Sequence, residues 1–368
     1  MHTLDNNTNK LHKSYYDIVR LLAIFLVIFN HTPAFHYPFQ THGNDLNVQL
    51  MLLVSVIVKM AVPLFFMISG GLLLNKEENI QTIFTKRILR FIYVIIIFHL
   101  IQFSFYFVCF HSQGSDIGVA SFIESIYTKR SYPISRTNAL AVWFLYAYLG
   151  FLLLLPLLRV MVQNMKNEHF LYLACLQITF SVLIPSSYII GMGKASDTFA
   201  LAEYLPLCNN IFLYIIAGYY IEHRLDVNQL KRRHFCVLTA ISLLSIVAAC
   251  AAPEIARQRT NASILTQYTP GIIQFLLIPC CTLMLSLKKA LNKTTLPERW
   301  IRVLKYAGGA VFCVMIIENI LRKLFAILLF DNYYSTYMPS IWVTCIVWIV
   351  GILIGCIVKK LPLIGKLF

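Results

Sequence analysis

The sequence predicts an all-α protein, a polytopic integral membrane helical bundle of about ten transmembrane helices with both termini on the cytoplasmic side. Hydrophobic residues make up 58% of the 368 residues and charged residues only 13%, which lies outside the usual composition of water-soluble domains. Apolar runs of roughly 20 residues, the length that crosses a bilayer core, recur along the whole chain. Lys and Arg collect in alternate connecting segments, which sets the orientation.

The apolar runs predict ten spans, because backbone groups in lipid must be hydrogen-bonded within the segment and runs of this length therefore form helices. No stretch is left for a sizeable soluble domain, so residues 1–368 are predicted to form a single membrane domain. The first run carries charged and polar residues and lacks a small-residue cleavage site, so it is expected to stay in the mature protein. The predicted spans are roughly 16–36, 48–74, 90–110, 139–158, 168–190, 204–222, 235–252, 268–287, 306–330 and 338–358.

The orientation follows from the 31 Lys and Arg residues, most of which fall in segments on the same side as the N-terminus. The net charge of +15 is therefore interpreted as a topology signal, and no nucleic-acid partner is predicted. The basic residues assigned to outer loops are Lys129, Arg130, Arg136, Lys194, Arg257 and Arg259.

The ten cysteines are scattered in or beside apolar runs, without a CxxC pair or a histidine at metal-binding spacing. Such cysteines are typically small buried apolar residues. Neither a metal site nor a disulfide framework is predicted.

The first span carries the richest set of polar residues. Arg20 and His31 are eleven residues apart, so on a helix they share one face and lie about 16 Å apart along the axis. Asp17 shares that face, one turn before Arg20. Since histidine titrates near neutral pH and can take a proton from a hydroxyl, His31 is the best candidate base in the chain. In the alternative interpretation, Asp17 and Arg20 anchor the helix at the lipid headgroups and His31 merely hydrogen-bonds to a neighbouring helix.

A second basic group precedes the third span. Arg87 and Arg90 are three residues apart, hence on one helix face, and with Lys86 they could bind phosphates at the membrane surface. The alternative is that all three are ordinary basic residues of a cytoplasmic segment.

Two further sets of charged residues lie within spans, where ionisable side chains are costly and often functional. Lys59 precedes Pro63 and has no partner visible in the sequence. Glu318 and Arg322 are four residues apart in the ninth span, a spacing that lets them neutralise each other.

Five blocks of this sequence, taken in order, resemble the acyltransferase-3 family of membrane proteins. The first block runs from Tyr16 through Arg20 to Asn30-His31-Thr32 and resembles the family's opening signature, in which an arginine and a histidine are separated by ten residues. The other blocks are Pro63-Leu64-Phe65-Phe66-Met67-Ile68-Ser69-Gly70, Arg87-x-x-Arg90, Trp143-Phe144-Leu145 through Leu155-Pro156-Leu157-Leu158, and Ala217-Gly218-Tyr219-Tyr220.

The resemblance implies a multi-pass enzyme of the bacterial cytoplasmic membrane that moves an acyl group, commonly acetyl, from cytoplasmic acyl-CoA to a hydroxyl of a lipid-linked sugar or envelope glycan. It also implies that His31 is the catalytic histidine, acting as general base or as acyl relay, with Arg20 and Asp17 ordering the cavity. Lys86, Arg87 and Arg90 would then lie at the coenzyme phosphates.

This sequence departs from the family pattern late in the chain, where an aliphatic or tyrosine stretch often ends in histidine. Here Met315-Ile316-Ile317 leads into Glu318-Asn319, which leaves open which late residue assists catalysis. Neither the hydrolase-like domain nor the racemase domain that is fused to some members is expected after the tenth span.

Two other functions compete with the enzyme. A carrier or flippase would use the same intramembrane charges to pass a solute, although the sequence lacks the internal repeats and paired broken helices typical of transporters. A sensory or accessory membrane module is the second alternative. Binding of acyl-CoA would distinguish the enzyme from both.

Overall fold

The computed structural model describes residues 4–32, 46–110, 119–128, 142–184, 187, 210–260, 275–294, 296–330, 337–362 and 365. Within these ranges every regular element is a helix. The helices are α1 (Leu4–Asn30), α2 (Leu46–Val58), α3 (Ala61–Leu73), α4 (Ile80–Ile83, continuing through the π-helical Phe84–Ile88 into Leu89–Phe110), α5 (Val119–Thr128), α6 (Val142–Asn164), α7 (Asn167–Ile178, followed by the π-helical Thr179–Leu183), α8 (Asn210–His223), α9 (Arg232–Thr260), α10 (Leu277–Lys293), α11 (Glu298–Phe330) and α12 (Tyr337–Val358).

Six segments of the described helices are long and apolar enough to cross a bilayer. Every one of the ten predicted apolar runs overlaps a helix of the structure. The protein is thus an all-helical membrane protein with several spans, as the composition predicts. The six segments are Gln49–Leu73, Ile80–Phe105, Trp143–Asn164, Arg232–Ala251, Glu298–Phe325 and Ser340–Val358.

The second predicted span, expected to be one helix, is broken into α2 and α3. The break falls at Lys59 and Met60, where a turn separates the two helices. Pro63 explains its position, because a proline has no N–H to donate to the carbonyl four residues earlier and its ring clashes with that carbonyl. Lys59 therefore lies at a helix junction within the span.

Helix α4 begins at Ile80, about ten residues before the predicted start of the third span near residue 90. Asn79 caps it, since the Asn79 side chain accepts a hydrogen bond from the Thr82 amide at 2.8 Å. The next turns are π-helical and contain Lys86 and Arg87. Local π-helix is rare and often found at functional sites.

Helix α1 lies at the centre of the bundle and packs against α2, α3, α10, α11 and α12. Its buried face repeats at helical spacing through Tyr16, Val19, Ala23 and Val27. Trp348 of α12 donates a hydrogen bond from its indole nitrogen to the Leu21 carbonyl at 3.1 Å. This central position brings the polar face of α1 into contact with its neighbours rather than with lipid.

Helices α3 and α8 approach each other closely because glycines lie at their contact. A β-carbon on Gly218 would collide with the Met67 carbonyl, and one on Gly70 would collide with the Ile215 carbonyl. Small residues permit such close helix packing inside membranes. The blocks Pro63–Gly70 and Ala217–Tyr220 therefore have a packing role.

Parts of the sequence predictions fall outside the described residues, among them the outer basic residues Lys129, Arg130, Arg136 and Lys194. Within the long connection after the third predicted span, the structure places helix α5. Helix α9 extends to Thr260, so Arg257 and Arg259 belong to a helix and not to the predicted loop.

We expect Gly218→Ala to lower the midpoint of thermal unfolding of the detergent-solubilised protein by several degrees. The added β-carbon would force α3 and α8 apart, and overpacking of this kind typically costs about 1–3 kcal/mol. Gly150→Ala on α6 is the matched control, because a β-carbon there meets no atom within 4 Å. An equal midpoint for the two variants would contradict the close packing of α3 on α8.

Candidate active site

A cavity of about 410 Å³ opens among α1, α3, α4, α6 and α11, beside the end of α12. Five basic side chains line it, and the described residues around it include no Asp or Glu. Cations that share one cavity give it a positive potential, which attracts anionic ligands. The basic residues are Arg20, Lys86, Arg87, Arg90 and Lys359.

Two of the cavity arginines are each held by a carboxylate. Arg20 donates a hydrogen bond to Asp17 Oδ1 at 2.7 Å, the pairing that their spacing on α1 predicts. Arg87 binds Glu78 through two parallel hydrogen bonds, from Nε at 2.9 Å and from Nη2 at 2.5 Å. Such pairing fixes the orientation of a guanidinium more firmly than it fixes that of a lysine ammonium.

Glu78 lies in the connection between α3 and α4 and receives a second guanidinium. Arg159 of α6 donates to Glu78 Oε2 at 2.9 Å and to the Leu73 carbonyl at 2.9 Å. The hydrogen bond from Arg87, together with that from Arg159, lowers the pKa of Glu78 to about 2. The carboxylate is therefore ionised throughout the physiological pH range, and it links α4 to α6 at the mouth of the cavity.

Lys359 reaches the cavity from the residue that follows α12. Its ammonium lies over Gly309, where a β-carbon would collide with it. On the preceding residue, Gly308, a β-carbon would collide with the Asp17 carboxyl group. The two glycines of α11 thus leave room for charged groups on both sides of the helix.

The inner part of the cavity is apolar. Its walls carry aromatic rings, including Phe65, Phe91, Phe144, Tyr148 and Phe312. Several of these rings contact one another, with centroids 4.9 Å apart for Phe91 and Tyr148 and 5.7 Å apart for Phe91 and Phe312. A charged mouth followed by an aromatic channel suits a ligand with an anionic head and a less polar arm.

The cavity reaches Met315 on α11, one helical turn before Glu318. There His31, just after the last residue of α1, contacts Glu318, with 2.8 Å between His31 Nδ1 and Glu318 Oε1. The two side chains are only 8% and 1% exposed. The spacing of four residues predicts a pairing of Glu318 with Arg322, and the contact with His31 was not predicted.

The contact determines which nitrogen of His31 is available for chemistry. When Glu318 is ionised it can only accept a hydrogen bond, and in that state Nδ1 of His31 is the donor. In the neutral ring, Nε2 then has a free lone pair, which can accept a proton or attack a carbonyl. The pair has the arrangement of a histidine base oriented by a carboxylate.

Glu318 also connects to a chain of polar side chains. Arg322 Nε lies 3.6 Å from Glu318 Oε2, so the predicted pair forms in addition to the histidine contact. Arg322 donates to Asn319 Oδ1 at 2.9 Å, and Asn319 donates to Gln102 Oε1 of α4 at 3.4 Å. The chain runs from α1 through α11 to α4.

A separate polar cluster joins α1, α8 and α10 away from the cavity lining. Tyr15 and Tyr16 donate to Glu222 Oε2 at 3.2 Å and 3.0 Å, and Lys288 Nζ lies 3.6 Å from the same oxygen. The polar groups of this cluster pair with one another through hydrogen bonds and an ion pair, which indicates a structural role. Among the described residues, no cluster of three or more His, Cys, Asp or Glu side chains could hold a metal ion.

The structure thus brings the sequence candidates into two adjoining places. Arg20, Lys86, Arg87 and Arg90 line the cavity with Asp17 behind them, while His31 lies beyond its inner end. Lys59 does not line the cavity. Glu78, Lys359 and Gln102 were not predicted as part of the site. Gln102 could have been noticed as a polar residue within an apolar run.

One family model matches this chain. The model of the acyltransferase-3 family, described as an acyltransferase domain, matches residues 13–360, nearly the whole chain. Searches among curated proteins and among solved structures give no significant match. This multi-pass helical membrane protein belongs to the acyltransferase-3 family.

Proposed function

We propose that this protein is an O-acyltransferase of the bacterial cytoplasmic membrane that moves an acyl group, most simply acetyl, from cytoplasmic acyl-CoA to a hydroxyl of an envelope glycan or lipid-linked sugar. One observation carries the proposal: a cavity lined by five cations leads along an aromatic channel to within one helical turn of a buried histidine–carboxylate pair. Membership of an acyltransferase family supports it.

The donor is assigned from the two ends of the cavity. CoA has a phosphorylated nucleotide and a long arm that ends in the thioester, and Lys86, Arg87, Arg90 and Lys359 match the phosphates in charge. Along α11 the distance from Gly308 at the cationic end to Glu318 is about 15 Å. An arm lying in the channel would therefore bring the thioester toward His31.

The proposed reaction is a direct transfer. Nε2 of His31 takes the proton of the acceptor hydroxyl, and the hydroxyl oxygen bonds to the thioester carbonyl carbon. The carbon–sulfur bond breaks, and the thiolate of CoA takes the proton from the imidazolium, so the products are an ester and free CoA. Glu318 stabilises the imidazolium while it exists. In the competing route the acyl group passes through Nε2 itself.

The proposed orientation is inferred from the distribution of basic residues. The residues that line the cationic end belong to segments whose Lys and Arg content predicts a cytoplasmic location. We therefore infer ten spans in one membrane domain, with both termini and the mouth of the cavity in the cytoplasm. His31, about 16 Å from Arg20 along α1, then lies toward the outer side, where a glycan hydroxyl is available.

We expect His31→Ala and Glu318→Gln each to reduce acyl transfer by a factor of about 10²–10⁴, the usual contribution of general acid–base catalysis. The first variant removes the base, and the second removes the negative charge that stabilises the imidazolium. The measurement is incorporation of label from radioactive acetyl-CoA into envelope glycan by membranes with matched protein levels.

His169→Ala is the control for loss of a histidine, because His169 lies at the exposed start of α7 and only caps that helix. Full transfer by His31→Ala would rule out the assigned base. No incorporation by the wild-type protein, from either acetyl or succinyl donors, would favour a carrier.

For the cationic end, we expect Arg90→Ala and Lys86→Ala each to raise the KM for acetyl-CoA about five- to tenfold, since each removes a charge contact to phosphate of roughly 1 kcal/mol. Acetyl-pantetheine lacks the nucleotide phosphates, so its KM should hardly change. The control is Arg233→Ala, at an exposed position at the start of α9. It should change neither the KM for acetyl-CoA nor the KM for acetyl-pantetheine. Equal increases of KM for both donors would contradict a phosphate contact.

A further inference from the structure

Three side chains around the end of α1 carry buried polar atoms that have no hydrogen-bond partner. The atoms are Asn30 Oδ1, Gln102 Nε2 and Glu318 Oε2, the last of which has only the 3.6 Å contact with Arg322. Gln102 is only 5% exposed, and its side-chain oxygen is already occupied by Asn319. Buried polar groups are normally satisfied, so a group of unsatisfied ones indicates a ligand or ordered water between them.

The positions of these residues along their helices place them at one depth. Arg20, Arg90 and Gly308 all line the cavity. Asn30 follows Arg20 by ten positions on α1, Gln102 follows Arg90 by twelve on α4, and Asn319 follows Gly308 by eleven on α11. These intervals correspond to about 15–18 Å along each helix axis.

The cavity lining on each helix ends before that depth is reached. On α11 the last lining residue is Met315, followed by Glu318 and then Asn319. On α4 the last lining residue is Val94, two turns before Gln102. Gln102, which contacts the residue after Glu318, thus lies beyond Glu318 on the side away from the cationic end, and Asn30 immediately precedes His31.

We propose that Gln102, oriented by Asn319 and assisted by Asn30, forms a subsite for the hydroxyl-bearing acceptor. The proposal rests on the proposed function and assigns the acceptor side of the same reaction. The chemistry fits a ligand with several hydroxyl groups, because a hydroxyl oxygen can accept from Gln102 Nε2 and a hydroxyl hydrogen can be donated to Asn30 Oδ1. Donor and acceptor substrates would then reach His31 from opposite ends.

The polar chain explains why Gln102 is held in this orientation. Asn319 is fixed by the bond from Arg322 to its oxygen, so its amide nitrogen points to Gln102 Oε1. The Gln102 side chain must accept with its oxygen, and its Nε2 hydrogens are left for a ligand. Gln102 contacts the acceptor in this proposal and is not among the residues that line the donor cavity.

The test uses the full-length protein in proteoliposomes, with acetyl-CoA and alkali-deacetylated envelope glycan from the host as substrates. For Gln102→Leu we expect the KM for glycan to rise about five- to tenfold, the loss of one or two neutral hydrogen bonds, with the KM for acetyl-CoA within twofold of wild type. Gln177→Leu on α7 is the matched control, because Gln177 is also 5% exposed and α7 packs on α8. It should leave both constants unchanged.

Gln102→Glu is the second variant, used in case the leucine variant does not fold. It keeps an oxygen for Asn319 but removes the amide donor, so it should also raise the KM for glycan alone. A folded Gln102 variant with an unchanged KM for glycan, or with equal changes for both substrates, would overturn the subsite and indicate ordered water instead. Wild-type activity in His31→Ala would overturn the proposed function itself, independently of Gln102.

Discussion

The contact between His31 and Glu318 is the interaction on which the rest of the arrangement depends. Each ionisable side chain placed within a membrane costs roughly 2.5–3.5 kcal/mol on insertion scales, so a buried one needs a partner. His31 lies just beyond the end of α1 and Glu318 within α11, and each satisfies the other at 2.8 Å. The pair therefore ties the central helix of the bundle to the helix that carries the polar chain toward α4.

The cationic end of the cavity follows the same rule of paired charge. Asp17 and Glu78 each bind one of the arginines that line the cavity, and neither carboxylate lines the cavity itself. The cavity surface therefore keeps its positive charge while two of its cations are rigid. Pre-orientation of this kind lowers the entropy lost when a charged ligand binds. One bundle thus contains both a cationic cavity and a buried histidine–carboxylate pair.

Much of the architecture could be predicted from the sequence because a bilayer allows few solutions. Long apolar runs must be helices, and each predicted run overlaps one in the structure. The pairing of Asp17 with Arg20 was also predictable, since both lie on one helix and helical spacing fixes their proximity. Pro63 could have indicated the break before α3, but the break was not predicted.

Contacts between helices could not be predicted in the same way. Glu318 is 287 residues from His31, and sequence spacing offered only the local partner Arg322. Lys359 was interpreted as part of the topology signal, because nothing local shows that α12 ends beside Gly309. Gln102 resembles any polar residue in an apolar run until α11 brings Asn319 next to it. The partners of Glu318, Lys359 and Gln102 are all determined by how the helices pack.

The measurement that tests the central claim most directly is an experimental structure of the full-length protein with a non-hydrolysable acetyl-CoA analogue bound. The proposed arrangement predicts the phosphates between Lys86, Arg90 and Lys359, the arm along the aromatic channel, and the carbon that replaces the thioester carbonyl close enough to His31 Nε2 for a hydroxyl to bridge them. A bound analogue whose acyl end lies away from His31, or whose phosphates lie outside the cationic cavity, would contradict it.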